Sequence, residues 1–295
     1  MDLKKFKLLS VLLLAAAVLF LSVNLIRNKN EAENFGYSVA ENMSKLYEKN
    51  GISLDPSLIP LSRQKLSVYV CTTADGENAE NIATKIGNSN RTAANLTDTG
   101  YIFRLENGAL ARVSREFYTV YDLLGRSGGA ELTAAYKPTP EAEAIASELI
   151  KVFLGEQWKK DSGLCGYELI SSAKIGSNTL LNFELNVGGV KLYGKELAVY
   201  LDSGKRILSA EGTCLFSRLE RQSGVPRYDV LGIMKAELDR LESEGITSLS
   251  VSGVELCYIT EPSADGGTLY FLPGWVISYS DGTVAVYDCV NCAKH

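Results

Sequence analysis

LLSVLLLAAAVLFLSVNLI, residues 8 to 26, runs for nineteen residues without a charge. Lys4, Lys5 and Lys7 precede it, and Arg27 and Lys29 follow. At about 1.5 Å of rise per residue, a helix of this length measures about 28 Å, close to the ~30 Å hydrocarbon core of a bilayer. Ser10, Ser22 and Asn24 are its polar members, each near an end or able to bond to helix backbone or a neighbouring helix. The stretch reads as one transmembrane helix. The excess of basic groups on its N-terminal side leaves residues 1–7 in the cytoplasm and the bulk of the chain extracytoplasmic, a single-pass protein of the cell membrane. The competing reading is a cleavable signal peptide. Its best cleavage mark is Ala15-Ala16-Ala17, and cutting there leaves the apolar tail VLFLSVNLI exposed, so length and flanks favour the anchor.

Within that helix, Val11, Ala15, Val18 and Ser22 recur at helical spacing on one face, with residues small enough for a second helix to approach closely. Asn24 can hydrogen-bond across such a contact. These five form the candidate partner interface. The plainer account is a tether, since small residues are common in membrane helices.

Working outward, the whole chain carries a formal charge of −5 although its first 29 residues are basic, so the exterior is acidic. That argues against nucleic acid and anionic polymers as ligands. Glu31 to Asn50 reads as a helix continuing from the anchor, with Phe35, Val39, Met43, Leu46 and Tyr47 at three- and four-residue spacing and Gly51 as its stop. A short strand is expected around Lys65 to Cys71 and a helix over Glu77 to Ile86. Gly100–Leu105 and Ala109–Ser114 alternate across Asn107-Gly108, a strong hairpin signal. Gly125 to Pro140 reads as a linker. Thr139-Pro140-Glu141 then opens a helix whose apolar face is Ile145, Leu149, Val152 and Phe153. Strands are expected at Tyr167–Ile175, Leu180–Val187, Leu192–Leu201 and Arg206–Phe216. After SRLERQSGVPRY come a helix from Tyr228 to Glu244 and strands at Ser250–Thr260, Leu269–Tyr279 and Thr283–Val290.

The order is helix then strands, repeated. YIFRLENGALARV, ELAVYLDSGKRIL and WVISYSDGTVAVY resemble one another, each with a glycine (Gly108, Gly204, Gly282) where the turn needs a positive φ. The expected fold is therefore α+β: an N-terminal transmembrane helix followed by tandem modules of a helix on an antiparallel sheet, similar to PepSY or cystatin domains. The expected spans are a membrane-proximal domain at 31–130, a module at 138–218 and a C-terminal module at 226–291.

Catalytic chemistry finds little footing. The chain has one histidine, His295, at its last position, which is no place to orient a nucleophile. There is no GxSxG, HExxH, SxxK or P-loop pattern. Carboxylate pairs such as Glu141/Glu143 and Asp239/Glu242 suit solvated helix surfaces, and Asp202 and Asp281 suit turns. Of six cysteines, Cys71, Cys165, Cys214 and Cys257 lie in or beside apolar strand-like runs and read as buried hydrophobes, although disulfides remain open. Cys289-Val-Asn-Cys292 is a CxxC without the other ligands zinc needs and without a following helix. Trp275, alternating with Ile277 and Tyr279, reads as core. No enzyme activity, cofactor, metal site or small-molecule substrate is expected.

A lysine-flanked anchor leading into NEAENFGYSVAENMSKLYEKNGISLDPSLIP, then VKLYGKELAVYLDSGKRI and LPGWVISYSDGTVAVYD, together resemble the YycI/YycH family of regulatory proteins. The resemblance implies PepSY-type outer modules and a bitopic protein that modulates a sensor histidine kinase of a cell-wall two-component system, through membrane-helix and outer-domain contacts. It also implies a possible YycH-like companion. The family's late motif carries an arginine after the tryptophan, where this chain has Val276. A binding or inhibitor module acting on an extracytoplasmic peptidase is the alternative expectation.

Overall fold

The computed structural model describes residues 37–60, 67–123, 137–154, 165–215, 219–222 and 228–295. Leu8–Ile26 lies outside them. Among the described residues no helix is long and apolar enough to cross a membrane.

Two compact units are distinguished. The first takes residues 37–60 with Tyr228–Glu255 and Val276–Ala285. Helix α1, residues 37–49, buries Ala40, Met43, Ser44 and Tyr47 on one face, while Leu46, expected on that face, is exposed. Its end is closed by Gly51 in the left-handed region (φ 76°), with an added Cβ only 2.3 Å from the Thr247 carbonyl oxygen. Helix α4, Val230–Ser243, starts at Asp229, whose carboxylate accepts the Gly232 N–H at 2.9 Å. Its buried face is Val230, Ile233, Met234, Glu237, Leu238 and Leu241.

The second unit holds the described residues of Lys65–Arg227 with Leu256–Trp275 and Val286–His295. Its strands in chain order are β1 (Val68–Thr72), β2 (Arg91–Thr97), β3 (Gly100–Leu105), β4 (Leu110–Ser114), β5 (Tyr118–Asp122), β6 (Cys165–Ile175), β7 (Asn178–Val187), β8 (Val190–Leu201), β9 (Ile207–Thr213) and β10 (Glu220–Gln222). β11 (Val251–Pro262), β12 (Thr268–Tyr279) and β13 (Val284–Asp288) have residues in both units. All belong to one thirteen-stranded sheet ordered β10-β1-β12-β11-β8-β9-β5-β4-β3-β2, with β13 on β12, and β7 between β6 and β8. Helices α2 (Gly76–Gly87) and α3 (Pro140–Leu154) cover it, α2 against β3, β4, β5 and β9 and α3 against β6 and β7. Ile82, Ile86, Ile145, Phe103, Tyr121, Leu181 and Phe183 are in the continuous core beneath them.

This corrects the expected fold class. Strands make up 47% and helices 25% of the structure, and the strands join one large sheet instead of tandem α+β modules of a helix on its own sheet. The cause is pairing across the chain. β1 pairs with both β10 and β12, β5 with β9, and β8 meets β11 in parallel through Tyr258 and Leu192. A helix-then-strands order yields modules only when each group of strands pairs within itself.

The three similar hairpins are present as β3–β4, β8–β9 and β12–β13. Gly108 and Gly282 have φ of 85° and 86° as expected, but in the middle hairpin Lys205 takes the left-handed conformation (φ 65°) instead of Gly204. Asp202 explains the difference: its carboxylate accepts the N–H groups of Gly204 (2.8 Å) and Arg206 (2.9 Å) and fixes the turn around them.

Candidate functional site

Val11, Ala15, Val18, Ser22 and Asn24, the predicted interface, lie outside the described residues. The described residues offer instead a buried polar cluster in the first unit, where α1 meets α4. Tyr47 is fully buried on α1, and its hydroxyl donates to the Met234 carbonyl of α4 at 2.7 Å. At the end of α1 the Asn50 side-chain amide donates to Glu242 at 2.7 Å. Two long-range bonds thus pin the helix that follows the predicted span.

One turn along α4 from Met234 is Glu237, a fully buried carboxylate on the helix's apolar face. Arg240, one turn on, grips it with two parallel bonds, Nε to Oε2 and Nη2 to Oε1, both 2.8 Å. Tyr279 of β12 donates its hydroxyl to the same carboxylate at 2.5 Å. Glu244 holds the other side of the Arg240 guanidinium. A buried charge is tolerable when paired and bonded in this way. Burial first, and the bond to Glu237 second, push the Tyr279 phenol far above its ordinary value. The bonds to Glu237 hold Arg240 protonated against partial burial. These bonds make the cluster a rigid joint between helix and strand.

Most of the carboxylates named from the sequence have structural duties. Glu141 pairs with Lys174 at 3.2 Å, Asp239 with Lys235, and Glu242 with Asn50. Asp281 accepts from the Thr283 N–H at 2.9 Å and hydroxyl at 2.7 Å. A cleft of about 690 Å³ opens at the start of α3, lined by Lys137, Thr139, Glu141, Ile145, Ser172 and Lys174. The Lys174–Glu141 pair spans part of that lining and neutralises two of its charges.

His295, expected at a frayed end, is held. Its N–H donates to the Val286 carbonyl at 2.9 Å, and its Nε2 lies 3.4 Å from the Asp288 carboxylate. Asp288 is fully buried and accepts from the N–H groups of Val290, Asn291 and Ala293 at 2.8, 2.6 and 2.9 Å. The CxxC is the turn this carboxylate organises, with Cys292 left-handed (φ 58°). Among the described residues no disulfide joins the six cysteines; five are buried and Cys292 is half-buried. Among the described residues no group of three or more His, Cys, Asp or Glu could hold a metal ion. Trp275 is buried in the second unit, as expected.

Glu237 is the residue that sequence reasoning passed over, although the signal was present: it stands inside the stripe Val230, Ile233, Met234, Leu238 and Leu241. Its partner Tyr279 comes from a strand 42 residues away, and only the fold brings them together.

No family model matches the chain, and no curated protein matches it. Among solved structures the chain is similar to an uncharacterized protein from Eubacterium rectale, with 12% identity over 83% of this chain and 90% of that one and a TM-score of 0.50. At that identity the likeness concerns the fold alone.

Proposed function

We propose that this chain is a membrane-anchored, extracytoplasmic regulatory protein that modulates a sensor histidine kinase of a cell-wall two-component system by contact. The kinase is touched through the membrane helix, on the face of Val11, Ala15, Val18, Ser22 and Asn24, and through the outer body; a YycH-like companion joins the complex. The observation that carries the reading is the fixed joint at the far end of the helix following the span. Tyr47 and Asn50 tie α1 to α4, and Glu237 ties α4 to Tyr279 on β12. A rotation or shift that reaches α1 is handed on to α4 and β12, because short hydrogen bonds link them, two of the three made by fully buried side chains. The resemblance of the quoted segments to the YycI/YycH family supports the choice of a kinase as partner.

The test replaces Leu8–Ile26 with an unrelated apolar helix of equal length and reads kinase output from a reporter of its response regulator. Loss of control with the outer body still folded is the expected result. Unchanged control overturns the helix-mediated reading. Crosslinking probes at Ala15 and Ser22 in intact membranes are expected to capture the kinase.

A further inference from the structure

Among the described residues, strand β2 ends the sheet and pairs with β3 alone. Six of its seven residues are exposed, and Leu96 shows 68% of its surface. An open strand edge is a template for another strand, and proteins commonly blunt such edges with lysine, proline or inward-pointing charge. Residues Ala93 to Thr97 carry none of these; the one irregularity is a bulge between Arg91 and Ala93.

We infer that β2 is a self-pairing edge that joins two copies of this chain into a dimer with a continuous sheet, antiparallel about a two-fold axis at Asn95. The register follows from the hairpin. Thr97 pairs with Gly100 across a two-residue turn, which turns the backbone groups of Thr97, Asn95 and Ala93 toward β3 and those of Leu96 and Ala94 outward. A symmetric antiparallel partner must set outward residues against outward residues. Centring on Asn95 does so over the whole regular stretch: Ala94 of each copy faces Leu96 of the other, Ala93 faces Thr97, and Asn95 faces Asn95. The exposed leucine is then laid against a small residue, as a self-complementary patch requires. No like charges meet. Asp98 falls opposite Thr92 of the other copy, and the nearby Arg91 is held by Glu80 of its own copy, so Asp98 meets no like charge. A foreign strand would use the same open groups, but the match of Ala94 to Leu96 is supplied by the strand itself.

The experiment uses the full chain in membranes and in detergent. At the axis the two Asn95 residues form a non-hydrogen-bonded pair, with Cα atoms about 4.5 Å apart and Cβ atoms near disulfide range. Asn95→Cys is expected to give a reducible dimer band on mild oxidation, while Ser177→Cys, exposed at the β6–β7 turn, gives no more than the unaltered chain. Asn95→Lys places like charges opposite each other and is expected to halve the sedimenting mass with circular dichroism unchanged, whereas Asn95→Thr keeps the dimer. A chain monomeric at every concentration, Asn95→Cys crosslinking no better than Ser177→Cys or only to another protein, or an Asn95→Lys chain of unaltered mass would each overturn the proposal. The kinase reporter is not used in any arm, so failure here is separate from failure of the regulatory reading.

Discussion

Glu237 shows what one residue can tell and what it conceals. A glutamate at a core position of an amphipathic helix announces a buried carboxylate, and Arg240 on the next turn is its natural local partner. The third member, Tyr279, is invisible until β12 is placed. Removing the carboxylate takes the acceptor of the Tyr279 hydroxyl and leaves the Arg240 guanidinium with Glu244 on one side. Glu237→Ala is expected to cost about 2–3 kcal/mol in urea unfolding, below the value for a fully enclosed pair because the Arg240 side chain keeps 23% of its surface in water. Gly274 makes a second, purely steric case. A Cβ there would lie 2.5 Å from both the Ile259 Cδ1 and the Tyr287 carbonyl oxygen. The side chain can yield but the strand backbone cannot, so Gly274→Ala is expected to lower stability by about 1–3 kcal/mol, seen as a lower melting temperature. The glycine between Pro273 and Trp275 is thus a packing requirement, which a sequence motif alone does not express.

At the scale of elements, local rules served well where the signal was local. The stop at Gly51, the helix expected over Glu77 to Ile86, the Thr139-Pro140 helix start and the three hairpins lie within two or three residues of their expected places. Asp229 is such a local device: with its cap bond lost, Asp229→Ala is expected to remove about 1 kcal/mol, measurable as a shift of the urea midpoint at constant slope. The unread elements fail the same rules for stated reasons. β2, RTAANLT, has too little hydrophobicity to alternate, since almost nothing in it is buried. β5, YTVYD, does alternate, but it stands between turn residues and a stretch that reads as linker. Pro273 lies inside β12 although proline normally argues against a strand interior. The β1 ladder on β12 runs from Thr268 to Phe271, and beyond it the Pro273 carbonyl accepts the Cys289 N–H at 2.7 Å.

For the molecule as a whole, the expectation of tandem modules and the single sheet make opposite predictions about how the second unit comes apart. Cys71 of β1, Cys165 of β6 and Cys214 after β9 belong to one continuous core, which also takes residues from α2, α3 and β12. Had the chain been built of modules, Cys71 would belong to one and Cys165 and Cys214 to the next, and each could open alone. Because the strands around them pair across the chain, they should open together. Burial pushes all three thiols from 9.0 up to about 12. An unfolded thiol ionises near 9.0, whereas the folded one keeps its proton to about 12. The unfolded chain therefore binds fewer protons in that interval, and stability, fully present below pH 9, falls as the pH rises toward 12. Two measurements follow. The free energy of unfolding is expected to be flat around pH 8 and to decline steadily above pH 9, and a flat profile to pH 11 would contradict the burial of these thiols. In pulsed thiol labelling at pH 8 with increasing urea, half-buried Cys292 is expected to react first, and Cys71, Cys165 and Cys214 to become reactive at one common rate. Labelling of Cys165 and Cys214 well ahead of Cys71 would mean that the unit breaks into parts along the chain and that the long-range pairing of β1, β5 and β8 does not hold the core together.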